Sequence, residues 1–250
     1  MNPIRAELHV HTVLSPCAEV EMIPPLIVQE ALERGISLIA ITDHNASSNV
    51  SAVQKAAVGS VLTVMPGMEV QTREEVHVLC LFDTIEQMSA WQALVDRSLP
   101  DTPNNPDYFG EQFVVDELGE FIRREERLLL NSVDLSFEQV VQQVNLIGGL
   151  AIPAHVDRTA FGLLANLGLV PADVRVEALE ISRHVPAGEA VQRYPRLKGY
   201  PILQGGDAHR LDEFLGVNEF HIAAPTVAEI RLALRGQEGR SLLLRSTTNG

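Results

Sequence analysis

Six of the eight histidines in this sequence stand at or near the ends of short apolar runs, and with nearby carboxylates they read as a polynuclear metal site. His9 and His11 lie in ELHVHT, and His44 lies in ITDHN after LIAI. His77 lies in EVHVLCLF, His155 in AIPAHVD, and His209 closes ILQGGDAH beside Asp207. Glu69, in PGMEV, adds a carboxylate after LTVM. Side chains two residues apart on a strand point to the same side. His9 with His11, and Asp207 with His209, can therefore each grip one ion. Imidazole with carboxylate suits zinc, iron(II) or manganese rather than a dedicated calcium site. A single HxH pair is ordinary on a strand. Two pairs near opposite ends of a chain, with further ligand-type residues between them, point to a built site.

Such a site needs a scaffold that brings strand ends together. AELHVHT reads as a strand and PPLIVQEALERG as a helix with proline in its first turn. SLIAITDH is a strand and NVSAVQKAAV a helix; LTVMPGMEV and EVHVLCLF are strands joined closely enough to form a hairpin-like pair. TIEQMSAWQALVDRSL and FEQVVQQVNLIGG are helical, the second ending on glycines. LAIPAHVD, ALEIS and PILQGGDAH follow as strands, then the strand GVNEFHIAA, the helix TVAEIRLALRG and the strand SLLLRS. The alternation predicts a mostly parallel sheet, and closure into a barrel explains how many strand ends converge. Residues 100–135 break the pattern: a Pro/Asn loop leads to FVVD and EFIRR around ELGE, a β-hairpin inserted on the barrel surface or over its mouth.

At 250 residues with 46% hydrophobic content, residues 1–250 are expected to form one barrel domain. The net charge of −14 and 5% aromatic content argue against a long nucleic acid as partner, although bound cations would offset much of the charge at the site. A small phosphorylated metabolite or nucleotide is the expected substrate. No apolar run approaches a membrane span, and MNPIRAELHVHT lacks a signal pattern. With only Cys17 and Cys80, and Cys80 in a strand-like run, no disulfide framework is expected and a reducing cytoplasm is the expected location.

The ordered motifs HVHTVLSPC, ITDHN, GMEV with VHVL, PAHVDR and GGDAHR resemble the PHP family, polymerase and histidinol phosphatase, over residues 7–210. The resemblance implies a distorted (β/α)7 TIM-like barrel and metal-dependent hydrolysis of phosphate esters with two or three divalent ions at its C-terminal mouth. It implies that His9, His11, Glu69 and Asp207 hold one ion, and that Glu69 bridges to a second held by His77 and His155. His44, His209 and Cys17 would hold a third, with Cys17 standing where relatives typically have histidine or aspartate. A thiolate remains a good zinc or iron ligand. Glu69, Asp207 and His209 are the residues expected to carry catalysis. Two ions about 3.5–4 Å apart can generate hydroxide from water and neutralise phosphoryl oxygens.

Arg158, Arg183 and Arg210 each follow a ligand-type segment, and a guanidinium fork suits phosphate. Each also has the ordinary reading of a surface ion pair, Arg210 above all because LDEF follows it. His184 could meet the substrate or protonate the leaving group, or be a plain loop histidine; His221 reads as structural. Asp43 either orients a ligand or caps a turn, and the glycine pairs 148–149 and 205–206 read as tight turns. Phosphomonoester hydrolysis is the leading reading, and phosphodiester cleavage of nucleotides or short oligonucleotides is the alternative. An amidohydrolase-like C–N hydrolase, also opening on HxH, and a non-catalytic metal-binding module are the competing classes. The closing DAH pair favours the phosphoesterase.

Overall fold

The computed structural model describes residues 3–245. In chain order the elements are β1 (Pro3–Val10), α1 (Pro24–Glu33), β2 (Leu38–Ile41), α2 (Val50–Ala56), β3 (Thr63–Gln71), β4 (His77–Leu81) and α3 (Ile85–Ser98). Then come α4 (Pro106–Phe109), β5 (Phe113–Val115), β6 (Phe121–Arg124), α5 (Phe137–Leu146), β7 (Leu150–Pro153), α6 (Leu163–Asn166) and β8 (Leu179–Ser182). The chain closes with α7 (Ala190–Arg193), β9 (Ile202–Gly205), β10 (Asn218–His221), α8 (Val227–Leu234) and β11 (Ser241–Leu244).

Helix boundaries follow the local chemistry. Pro24 and Pro25 open α1, where a missing N–H costs nothing. Thr84 with Gln87, and Ser136 with Gln139, form reciprocal capping boxes at α3 and α5. Helix α5 then buries Phe137, Val140, Val141 and Val144, each worth about 1.5–3 kcal/mol relative to exposure. Strands β2, β4, β7 and β8 are buried along their whole length, and β2 and β7 accordingly read as continuous apolar runs.

One curled sheet runs β11-β10-β1-β2-β3-β4-β7, and β8 and β9 form a parallel pair. Hydrogen bonds complete the ring. Val156 N donates to Glu180 O at 2.8 Å, tying the chain after β7 to β8. His11 N donates to Ala208 O and Ala208 N to His9 O, both at 3.0 Å, tying the chain after β9 to the end of β1. The result is a distorted TIM-like barrel. The sheet is mixed rather than mostly parallel: β1, β2 and β3 are parallel, whereas β4 runs antiparallel to both β3 and β7. For β4 the cause is the short link from β3, closed by Thr72 N donating to Val76 O; β10 separately runs antiparallel to β1 and β11. A parallel return would need a crossover of about a dozen residues.

The expected hairpin is β5–β6. Asn49 holds it at its base: its side chain donates to Phe113 O at 2.9 Å and accepts from Val115 N at 3.0 Å. The hairpin thereby stands beside the loops that follow β1 and β2. Among the described residues no helix is long and apolar enough to cross a membrane.

Candidate metal centre

Buried Glu69, on β3, is the hub. Its Oε1 lies 2.8 Å from His77 Nδ1, 3.1 Å from His155 Nε2 and 3.2 Å from His9 Nε2. Its Oε2 lies 3.0 Å from His44 Nδ1 and 3.5 Å from His11 Nε2. Asp207 Oδ1 closes the far side, 3.3 Å from His9 Nε2 and 3.4 Å from His11 Nε2. Three sets of donor atoms are close enough to share an ion: His9, His11, Glu69 and Asp207; His44, Glu69 and His77; and His11, His44 and His209. His155 meets Glu69 from beside the second set. Cys17 lines the same cleft as His44 and His209.

Local backbone explains part of the convergence. Only His9 of the first pair lies within β1; His11 follows its end, and Asp207 and His209 follow the end of β9. Two-residue alternation therefore does not place Asp207. A left-handed backbone does, with φ of 48°, and His155 is also left-handed at 30°. Non-glycine residues in this region carry strain of about 1–3 kcal/mol, which the surrounding structure must hold.

Several partners aim the imidazoles, and sequence reasoning missed most of them. Glu180, on β8, accepts from His9 Nδ1 at 2.8 Å and from His155 N at 3.2 Å. Asp43 accepts from Thr12 N and from the Thr12 and Ser15 hydroxyls; Ser15 Oγ in turn faces His11 Nδ1 at 2.9 Å. Asp43 thus orients His11 through Ser15. Both chains of contacts place a ring proton on Nδ1 and leave the Nε2 lone pair to face the cluster. Buried Glu7 accepts from Gly206 N, Leu215 N and Gly216 N, which anchors the loop carrying Asp207. A signal existed for both glutamates: Glu7 lies two residues before His9, on the same strand face, and Glu180 interrupts the apolar run ALEIS.

The donors fit divalent cations. His9 Nε2 and His11 Nε2 stand 3.1 Å apart, so two lone pairs face each other unless a cation or proton intervenes. Glu69 Oε2 and His155 Nδ1 are buried without a hydrogen-bond partner. Burial opposes ionisation of Glu69, yet His77, His9 and His44 hold its carboxyl well below the usual range. Asp207 is likewise held low, by His9 and His11 against the cost of burial. Burial pushes His77 down to about 4. Burial disfavours a charged His9, but Glu180, Glu69 and Asp207 hold its pKa well up. The ionised carboxylates therefore attract positive charge, which protons on His9, His44 and His209 supply here and which a metal ion would supply by displacing them. Burial also pushes the Cys17 thiol up, but His44 and His209 overcome this and bring it to about 6.

The centre opens into a cleft of about 500 Å³ whose wall includes Arg158, Arg183, His184 and Arg210. All three arginines are engaged. Arg158 pairs with Asp207, Arg183 with Glu213 at 2.7 Å, and Arg210 with Glu19 at 2.9 Å rather than with the carboxylates of LDEF. Arg183 also donates to Gly206 O, while Glu213 accepts from His209 N, so this pair clasps the Asp207–His209 loop. Removing it in Arg183→Ala should cost about 1–3 kcal/mol of stability, as for a lost charged hydrogen bond. Urea unfolding would read this, and an unchanged midpoint would mean the clasp is idle. Phe161 stacks on His77 with centroids 4.6 Å apart. His221 faces Glu219 from β10, away from the cleft. Gly205 is not a turn residue: a Cβ there would lie 2.3 Å from Glu180 Oε2.

Comparison with known proteins gives the same family as the sequence motifs. A family description, PHP domain, matches residues 7–161. The uncharacterized protein YqxK of Bacillus subtilis (strain 168) is 21% identical over 97% of this chain. The lesion-specific endonuclease PfuEndoQ from Pyrococcus furiosus superposes with a TM-score of 0.69 at 20% identity over 97% of this chain. Endonuclease Q bound to a 27-mer duplex, with an abasic lesion at its active site, gives 0.68 at 18% identity over 96%. This chain spans 65% of YqxK and 58% of each endonuclease chain. The likeness overturns the expectation that no long nucleic acid is a partner, since a protein of this fold holds a DNA duplex. Net charge is a weak guide here: it sums a whole surface, whereas a nucleic-acid strand would meet only a local patch, and cations bound at the centre would offset its charge.

Proposed function

This chain belongs to the PHP domain family, and on that premise we propose that its centre hydrolyses phosphate esters with divalent ions held by His9, His11, His44, Glu69, His77, His155, Asp207 and His209. The observation that carries the proposal is one buried carboxylate, Glu69, within 3.5 Å of five imidazoles. Bound there, the ions would supply Lewis-acid polarisation of the phosphoryl group and a water of lowered pKa. The chain supplies the positioning: Glu180 and Asp43 fix the His9 and His11 rings, and Arg183 with Glu213 fixes the loop bearing Asp207 and His209. Arg158, on the outer oxygen of Asp207, stands where it can turn to an anionic substrate. His184, exposed on the cleft wall, is the group we assign to protonation of the leaving oxygen.

The engaged arginines favour a phosphodiester over the monoester that composition alone suggests. A monoester presents a dianion, and its binding calls for guanidinium groups not already neutralised. Here each cleft arginine faces a carboxylate, which suits the single charge of a diester. Metal analysis of the purified protein comes first. Turnover of bis(p-nitrophenyl) phosphate and p-nitrophenyl phosphate with that metal restored then tests the reading. Faster monoester turnover would reverse the preference, and ammonia release from amides without ester turnover would replace the proposal by the C–N hydrolase.

Cys17 is proposed to complete the set of His44 and His209, as a thiolate of lowered pKa beside them. Cys17→Ser is expected to lower occupancy of the His44/His209 ion specifically and leave the Glu69 ions in place, while Cys17→Asp restores the stoichiometry with a harder metal preference. Unchanged metal content in Cys17→Ser would remove Cys17 from the ligands.

A further inference from the structure

A second cleft, of about 440 Å³, adjoins the metal cleft, and Arg158 lines both. Its other walls carry Arg193, Arg196, Thr159 and Tyr194. Its one carboxylate, Asp157, is already spent, because its two oxygens accept from Ser182 N at 2.7 Å and from Ser182 Oγ at 2.6 Å. Arg193 is half exposed and, among the described residues, pairs only with Glu189, itself half exposed on the same short helical segment. Arg196 gives one N–H to Gly168 O and, among the described residues, has no carboxylate within ion-pair distance. The surrounding stretch also differs in charge from the rest of the chain. Residues 157–200 carry six Lys/Arg against five Asp/Glu, in a chain of net charge −14. Cationic side chains are therefore concentrated where the acidic surface gives way, next to the metal centre.

We propose that this second cleft binds the phosphate adjacent to the scissile one in a nucleic-acid strand, with Arg193 and Arg196 as its contacts and Arg158 between the two clefts. The inference rests on the phosphodiester reading above and names the part of the substrate that reading leaves open. Planar guanidinium forks match phosphate oxygens, and two of them with a hydroxyl at Thr159 can divide one phosphate between them. An occupant that reaches both clefts must carry at least two anionic groups a short distance apart. A strand backbone does so and a mononucleotide does not. The half-buried ring of Tyr194 beside Arg193 offers a face for the intervening sugar or base.

The test is a binding measurement, so it does not depend on turnover. The full chain as purified is titrated into fluorescently labelled phosphorothioate dT10, which resists cleavage, at several salt concentrations, with pT and pTpT as competitors. For the parent protein, pTpT should compete at least 10-fold better than pT. Arg193→Ala/Arg196→Ala should weaken dT10 binding about 10-fold and abolish the preference for pTpT, with pT competition unchanged. The slope of log K against log salt should fall by about 0.7, the value for one phosphate contact on a single strand. Arg193→Lys/Arg196→Lys should keep the slope and recover part of the affinity. Equal affinity and slope in the parent and the alanine variant, or a parent that does not distinguish pTpT from pT, would overturn the proposal and leave these arginines as solvated surface charges. Failure of the phosphoesterase reading would look different: no ester turnover with any metal, whatever the binding result.

Discussion

Glu69→Gln is expected to abolish most turnover and to release at least one metal ion while the barrel stays folded. Among the described residues the carboxylate is the only group that touches five imidazoles, through Oε1 on one side and Oε2 on the other. An amide keeps the shape but offers one weak acceptor, and its NH2 would point at nitrogen donors. Two of the three donor sets lose a member at once, because Glu69 belongs to both. Removing a group that merely orients a ligand already costs roughly 10–100-fold in metal affinity or activity, so loss of a carboxylate common to two donor sets should exceed that range. Fold retention is expected because β3 is held on both sides, parallel to β2 and antiparallel to β4. Metal content by elemental analysis and activity with restored metal would be measured together, with thermal melting as the control. Full activity with unchanged metal would refute the shared role.

The ligand-type residues were legible in sequence because strand chemistry marks them. His9 and His11 alternate on one face, and His44, His77 and His155 each sit at the edge of an apolar run long enough to be a buried strand. Four features were not legible, each for a physical reason. Strand direction after β3 depends on one tight turn at Thr72–Val76, and hydrophobic pattern is blind to direction. Asp207 reaches the centre through a left-handed backbone that periodicity cannot foresee. Each arginine reads in sequence both as a phosphate contact and as a surface ion pair, but the partners do not show: Glu19 and Glu213 fold back onto Arg210 and Arg183. Charge misled most. A total of −14 concealed a local stretch of opposite tendency, and the partner class inferred from the total did not survive comparison with a DNA-bound chain of this fold.

Glu180 supplies the second large effect. It is buried on β8 and holds His9 by Nδ1 at 2.8 Å while accepting from the His155 backbone. One side chain thus sets two of the imidazoles around Glu69. It also places negative charge behind His9, which raises the basicity of the nitrogen facing the cluster. Glu180→Ala removes both influences and leaves a buried His9 N–H unpaired, at a cost of about 1–3 kcal/mol. Metal affinity should fall roughly 10–100-fold, read by competition with a chelator of known strength, and activity should recover at high metal concentration because the ligands themselves remain. That recovery separates a positioning residue from a ligand. Gly205 provides an independent probe of the same contact. Its missing side chain is the space that the Glu180 carboxylate fills, so Gly205→Ala should displace Glu180 and weaken metal binding in the same direction without touching any donor atom. Metal affinity equal to the parent's in both variants would show that His9 holds its orientation from β1 alone.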